Sequence, residues 1–116
     1  MSNTVPIRAV LMSSEIMNGG AGFHRLVFKV DGGRAGMSSV TVMISQDAHR
    51  KLVQQMSRAR FQVVEKTTLL KTWARWEIAM RFNDSGVLPA TVTITARDID
   101  DFGAYASALG RTLQVG

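Results

Sequence analysis

The chain has 116 residues, 46% of them hydrophobic, and no cysteine. This length and composition indicate one domain over residues 1–116, and they exclude a disulfide framework, a thiolate nucleophile and a cysteine-ligated metal site. The net charge of +5 arises in the first half: residues 1–60 hold eight basic and three acidic side chains, whereas residues 61–116 hold six of each. A basic half is typical of a protein that binds nucleic acid or an acidic protein, and also of a basic protein with no such partner.

Hydropathy predicts a soluble, cytoplasmic protein. No apolar run reaches the roughly 18 residues that a membrane span requires. The first six residues, Met1 to Pro6, do not begin a basic segment followed by an apolar one, as a secretory signal would. We therefore expect no membrane partner.

The first half is predicted to contain three strands and a helix. A strand over 5–12 leads into a glycine-rich loop, and alternating apolar positions predict a hairpin of strands at about 23–30 and 37–44. A helix is predicted from about 46 to 59, with Ser45 as its N-cap. Its expected buried stripe has helical spacing and consists of Ala48, Leu52, Val53, Met56 and Ala59.

The second half is predicted to repeat this order. A strand is predicted at about 61–64, followed by a hairpin of strands at about 72–82 and 89–97. A helix from about 99 to 110, with Asp98 at its N-cap, is expected to close the unit. Its predicted buried stripe consists of Ile99, Phe102, Ala106 and Leu109.

The two halves share a pattern at an offset of about fifty residues. At an offset of 52, four apolar strand positions coincide with four in the second half: His24, Leu26, Phe28 and Val30 with Trp76, Ile78, Met80 and Phe82. Identity between the halves is near chance, and the helices match only at an offset of 53. We predict an α+β fold of two pseudo-repeated βββα units, about 5–59 and about 60–116, forming one or two antiparallel sheets with both helices packed on one face.

This doubled order of strands followed by a helix resembles the Whirly and transcriptional-coactivator group of single-stranded nucleic-acid binders. Units in that group have four strands, whereas three are predicted here. The resemblance concerns the order of elements and carries over no site residue. It implies helices on one side of curved antiparallel sheets and binding of nucleic acid by the sheets.

The sheet face opposite the helices is the predicted functional surface. Alternation along the strands directs four basic side chains away from the helices: Arg25, Lys29, Arg75 and Arg81. Phe23 and Trp73 share this parity and are predicted to stack on bases. Arg50 and Lys51 of the first helix would extend the basic track. The rival interpretation is that these faces are merely solvated and that the two aromatic residues cover an edge of the core.

Other polar features are interpreted as structural. The glycine-rich segment 18–22 precedes a strand and lacks a following Lys-Ser or Lys-Thr, so we interpret it as a connection and not as a phosphate loop. His24 is expected at a core edge, far in sequence from His49. No catalytic residue, metal ligand or cofactor site is predicted. One acidic cluster is interpreted as helix capping and not as a cation site: Asp98, Asp100 and Asp101.

The sequence thus predicts a small non-enzymatic protein that binds single-stranded DNA or RNA through a basic sheet face. The alternative is a protein-interaction module, such as an inhibitor, an adaptor or a phage or plasmid structural subunit. Such a module would bind through edge strands and exposed aromatic residues. A homodimer is expected under either hypothesis, because pairing would bury exposed methionine and aromatic surface.

Overall fold

The computed structural model describes most of the chain. The beginning of the predicted first strand, residues 5–7, and the glycine-rich residues 18–21 lie outside the described part. The described residues are 8–17, 22–33, 36–62 and 64–115.

The described residues form an α+β fold with a four-stranded mixed sheet and three α-helices. The predicted α+β class is confirmed, whereas the prediction of a purely antiparallel sheet with two helices is wrong. The strands lie in the order β1-β2-β3-β4, with β1, β2 and β3 antiparallel and β4 parallel to β3. A 3-10 turn at Ala96–Asp98 precedes the last helix. In chain order, the elements are β1 (Arg8–Met17), β2 (Phe23–Asp31), β3 (Met37–Ser45), α1 (Gln46–Arg58), α2 (Lys66–Ser85), β4 (Thr91–Ile94) and α3 (Ala104–Val115).

One face of the sheet packs against the helices. The alternating residues that the sequence assigns to the core side of β2 are all buried, and three of their four partners across the ladder on β3, Val40, Val42 and Ile44, are buried as well. Side chains from all three helices join the same core cluster. A bulge between Leu11 and Ser13 interrupts the pairing of β1 with β2. The buried strand residues of this face include Leu26, Phe28, Val30, Val40, Val42, Ile44, Val92 and Ile94.

Helix α1 begins as the sequence predicts. The Ser45 hydroxyl accepts a hydrogen bond of 3.0 Å from the Ala48 backbone N–H, which satisfies one of the free donors at the helix start. Leu52 and Met56 are buried as expected. Val53 and Ala59 are exposed, so their assignment to the buried stripe is wrong. Position 53 lies toward the edge of the apolar stripe, and Ala59 follows the last helical residue.

The prediction of a strand at 72–82, and with it a second hairpin, is wrong. These residues belong to α2, where burial follows helical spacing. Met80 is 43% exposed, so the alternating apolar set does not lie on one face. Gly86 ends the helix in the left-handed region with φ 75°, a conformation that glycine adopts at little cost. The buried residues of α2 are Leu69, Leu70, Trp73, Ala74, Glu77, Ile78 and Phe82.

The second half therefore contributes a helix, a strand and a helix. Phe61, Gln62 and Val64 lie in the connection between α1 and α2 and form no strand, contrary to the prediction at 61–64. The pseudo-repeat is not confirmed, and the resemblance in element order does not extend to the second half.

The last helix begins later than predicted, at residue 104 instead of 99. Asp98 caps the preceding 3-10 turn, where its carboxyl group accepts a 2.7 Å hydrogen bond from the Thr95 backbone N–H. Ile99 is buried, as expected. Phe102 is 96% exposed, so its assignment to the core is wrong. The turn inserted between Ile99 and the helix changes the phase and leaves Phe102 pointing into solvent.

Candidate binding surfaces

The sheet face opposite the helices carries both apolar and polar side chains. Val10, Lys29 and Ser39 lie side by side in the register of the three antiparallel strands. Val10 is 58% exposed, and Met37 on β3 is 57% exposed. Thr91 and Thr93 extend the face onto β4, beside Thr41 and Met43. We call this surface the open sheet face.

Three of the eight predicted nucleic-acid contacts lie on the open sheet face. Phe23, Arg25 and Lys29 alternate along β2 with its buried residues, as the sequence predicts. Phe23 and Arg25 are half-buried, whereas Lys29 is exposed. Of the predicted contacts, this face therefore holds two cations and one aromatic ring, which is fewer cations than expected.

Trp73, Arg75 and Arg81 do not lie on the open sheet face, because α2 carries them in the helix layer. Trp73 is fully buried, so its ring is inaccessible to a base. The Arg75 side chain donates a 3.0 Å hydrogen bond from Nε to the Ala9 carbonyl oxygen and lies 6.0 Å from the Phe28 ring centroid, on the core side of the sheet. The structure therefore corrects the predicted position of these three residues on the sheet face.

The two predicted contacts on α1 form ion pairs. Lys51 Nζ lies 2.7 Å from Asp101 Oδ1 and 3.4 Å from the Ala96 carbonyl oxygen, so it ties α1 to the segment before α3. Arg50 lies 3.4 Å from Asp47, and both side chains are largely exposed. The charge of Lys51 is therefore matched within the fold, whereas Arg50 faces solvent beside a weak, exposed partner.

Asp98 and Asp100 of the acidic cluster cap backbone groups, as the sequence predicts, whereas Asp101 pairs with Lys51. Asp100 accepts hydrogen bonds of 2.7–3.0 Å from the backbone N–H groups of Phe102, Ala104 and Tyr105. These hydrogen bonds, the one from Tyr105 foremost, lower the pKa of Asp100. Within the described ranges, no group of three or more His, Asp and Glu side chains is arranged to hold a metal ion.

A buried chain of hydrogen bonds connects α2 with α3, and no pattern in the sequence predicts it. Trp73 Nε1 donates to the Tyr105 hydroxyl at 2.5 Å, and that hydroxyl donates to Glu77 Oε1 at 2.5 Å. Arg81 Nε completes the chain at 3.1 Å from Glu77 Oε2. Burial raises the pKa of Tyr105, and the hydrogen bond to Glu77 raises it further. All of these groups are paired, which fits a structural role.

The two histidines, distant in sequence, are neighbours in the fold. The Gln46 backbone N–H donates a 3.2 Å hydrogen bond to the Gly22 carbonyl oxygen, which holds the start of β2 beside the start of α1. This contact brings His24 and His49 together edge to face, with ring centroids 5.8 Å apart. His24 is 3% exposed, which confirms its predicted place at the core. Burial, and secondarily the charge of Lys66, lower both imidazole pKa values, that of His49 to about 4.

No helix in the described part of the chain is long and apolar enough to cross a membrane. Comparison of the chain with protein-family models, with curated proteins and with solved structures finds no match. A functional proposal therefore depends on the chemistry of the surfaces themselves.

Proposed function

We propose that this protein is a non-enzymatic protein-interaction module that binds through its open sheet face. The observation that supports the proposal is the exposure of Val10 and Met37 on a sheet face where no described element packs. Met12, at the bulge of β1, is 62% exposed as well. Apolar side chains grouped on one surface gain free energy when a partner removes them from water.

A second copy of the chain is the partner that we test. The central strands β2 and β3 have nine residues each. At about 3.3 Å per residue and about 4.8 Å between strands, the four-stranded face has a flat area on the order of 500 Å². A stable complex buries about 800 Å² per partner, so this face could form most of such an interface. Two copies would cover each other's methionine and valine side chains.

Sedimentation equilibrium tests this proposal. We expect the wild-type chain to dimerise and the double variant Val10→Ser, Met37→Ser to remain monomeric at the same concentration. The double variant removes two apolar side chains from each copy, four in the dimer; at about 1.5 kcal/mol each this is about 6 kcal/mol, so association weakens on the order of 10⁴-fold. Phe102→Ser is the matched control, because it removes an exposed apolar side chain beside Arg58 of α1, in the helix layer. A monomeric wild-type chain, or a double variant that dimerises like wild type, contradicts the proposal.

Binding of single-stranded nucleic acid through the same face is the second candidate. Lys29 and a row of hydroxyl groups on Ser39, Thr41, Thr91 and Thr93 favour it, because both kinds of group donate hydrogen bonds to phosphate oxygens. Phe23 would stack on a base.

Fluorescence anisotropy with labelled single-stranded DNA and RNA at several salt concentrations tests this candidate. We expect Lys29→Ala to weaken binding and to flatten its salt dependence, since one phosphate contact is lost. Arg111→Ala on α3 removes an equal charge from an exposed helix position and should bind like wild type. Absence of binding at low salt would exclude the candidate.

A further inference from the structure

A cavity of about 360 Å³ opens between β2, the start of α1 and the start of α2. Its polar lining comes from all three elements and includes no carboxyl group. Every one of these side chains carries nitrogen and can donate a hydrogen bond, the imidazoles through one ring nitrogen. The polar lining residues are His24, Gln46, His49, Arg50, Gln54 and Lys66.

One residue that lines the cavity carries a buried polar atom without a partner. His24 is almost fully buried, and its Nε2 has no hydrogen-bond partner within the described part of the protein. A buried polar atom without a partner costs free energy, so native structures rarely keep one without a reason. The His49 ring packs against His24 and continues the wall toward solvent. The histidine pair therefore offers hydrogen-bonding capacity that the fold itself does not use.

The surrounding charges distinguish an anion site from a metal site. The ammonium group of Lys66 is close enough to lower both imidazole pKa values, after burial, and Arg50 lines the same cavity. Neutral imidazoles could donate electron pairs to a divalent cation, but two fixed cations without a lining carboxylate repel it. Asp47 pairs with Arg50 outside the cavity lining, and Glu65 beside Lys66 is exposed. A cleft lined by one sign of charge attracts the opposite ion.

We propose that this cavity binds a phosphate group, held by Lys66 and Arg50 and by hydrogen bonds from His49, His24 and the two glutamine amides. The volume accommodates a phosphate with a small attached group, since ligand cavities begin at about 300 Å³. The site goes beyond the proposed function, because it lies between the helix layer and the core face of β2, away from the open sheet face. Either free phosphate or a phosphate monoester presents the required chemistry.

The bound anion also couples to protons. A dianion beside the histidines favours their charged forms, so phosphate raises both imidazole pKa values. Linkage then makes phosphate bind more tightly as the pH falls toward the imidazole pKa of the complex, until protonation of the dianion itself, with a pKa of about 6 for a phosphate monoester, opposes the gain. In the free protein, the pKa of His49 is about 4, which leaves a wide range for this increase.

Nuclear magnetic resonance of the histidine rings, with inorganic phosphate as the titrant, tests the proposal. We expect phosphate at millimolar concentration to shift the His24 and His49 signals and to raise the His49 pKa. Calorimetry should give at least a 10-fold loss of affinity for Lys66→Ala and for Arg50→Ala. Arg58→Ala is the matched control, because it removes an equal charge from an exposed position on the same helix. Arg50 and Lys66 are also exposed, so the variants keep the core intact.

Three results would overturn the proposal. In the first, the histidine signals remain unchanged by phosphate. In the second, Arg58→Ala weakens binding as much as Arg50→Ala, which would indicate charge attraction without a site. The rings could also respond to Zn²⁺ and not to phosphate, which would indicate a metal site. A parallel titration with glycerol phosphate separates the two sources of the ligand: tighter binding of the ester assigns a monoester, and equal or weaker binding assigns the free ion.

Discussion

Replacing Tyr105 with phenylalanine should destabilise the protein out of proportion to the single oxygen atom removed. The Tyr105 hydroxyl accepts from the indole N–H of Trp73 and donates to the carboxyl group of Glu77. Trp73 is fully buried, and Glu77 is 7% exposed. Phenylalanine keeps the ring, including its edge contact with Trp76 at a centroid distance of 5.0 Å, so the perturbation is confined to the hydrogen bonds.

The magnitude follows from the two groups that lose their partner. A buried polar group left unsatisfied costs about 1–3 kcal/mol, and Tyr105→Phe leaves one donor on Trp73 and one acceptor on Glu77. Arg81 still contacts the second carboxyl oxygen of Glu77, which limits the damage there. We therefore expect a loss of about 2–4 kcal/mol, a large part of the roughly 5–15 kcal/mol that stabilise a domain. The corresponding fall in Tm is about 8–16 °C.

Urea unfolding followed by circular dichroism measures this loss as a lower midpoint at an unchanged slope. Thr112→Val is the control, because it removes an exposed hydroxyl of α3 that bonds only to the Ala108 carbonyl oxygen. Its cost should stay within about 0.5 kcal/mol. In a double-mutant cycle, Glu77→Gln and Tyr105→Phe should be coupled by about 0.5–3 kcal/mol.

Alkaline pH provides a second readout of the same hydroxyl. Because the folded protein raises the Tyr105 pKa, it keeps this proton where the unfolded chain loses it, above about pH 10. This contribution to stability is therefore present below pH 10 and is lost as the pH rises. Between pH 9 and pH 11, about one unit on each side of the tyrosine pKa in the unfolded chain, Tyr105→Phe should lose less stability than wild type. A cost below about 0.5 kcal/mol together with an unchanged alkaline profile would refute the buried hydrogen-bond chain.

Four further substitutions test the packing and the histidine pair. Gly110→Ala should cost about 1–3 kcal/mol in urea unfolding, because its Cβ would lie 2.6 Å from the Phe61 ring; an unchanged midpoint would contradict this contact. Phe102→Ser should change the free energy of unfolding by no more than about 0.5 kcal/mol, because the side chain is exposed. Ile99→Ala should lower it by about 2–5 kcal/mol, because the side chain is buried. The reverse ranking would support the helix phase predicted from the sequence. Between pH 6.5 and pH 4, stability should fall because the unfolded chain protonates where folded His49 does not. His49→Gln should lose less stability than wild type over this range, and equal acid sensitivity would argue against a neutral His49.

The local sequence was sufficient to predict an element where its hydrophobic period and its capping residues indicated the same structure. The alternation from Phe23 to Asp31 predicts β2 and its two faces, and the structure bears out both. Ser45 marks the start of α1, because its hydroxyl accepts a hydrogen bond from a backbone N–H three residues away. This contact does not depend on the rest of the fold. Asp100 likewise bonds to backbone amides within five residues. Such features depend on neighbours along the chain, so the sequence carries them.

The segment 72–82 shows what the sequence alone left undecided. Its aromatic and branched residues fit a strand by composition, and its apolar positions fit both a period of two and a helical period. Burial distinguishes the helical period from the period of two, because only a helix buries Trp73, Ile78 and Phe82 together. Because the segment is a helix, Arg75 and Arg81 lie in the helix layer and not on the open sheet face where they were predicted.

The fold class, the two faces of β2 and the charge asymmetry between the halves can be predicted from the sequence, because they follow from composition and local period. Which of the charged side chains come together depends on the packing of distant segments. Pairing the start of β2 with the start of α1 brings His24, His49 and Lys66 around one cavity. These three residues around the cavity are 17 or more positions apart in sequence. Packing of the whole core sets contacts at such separations, and no local period in the sequence indicates them.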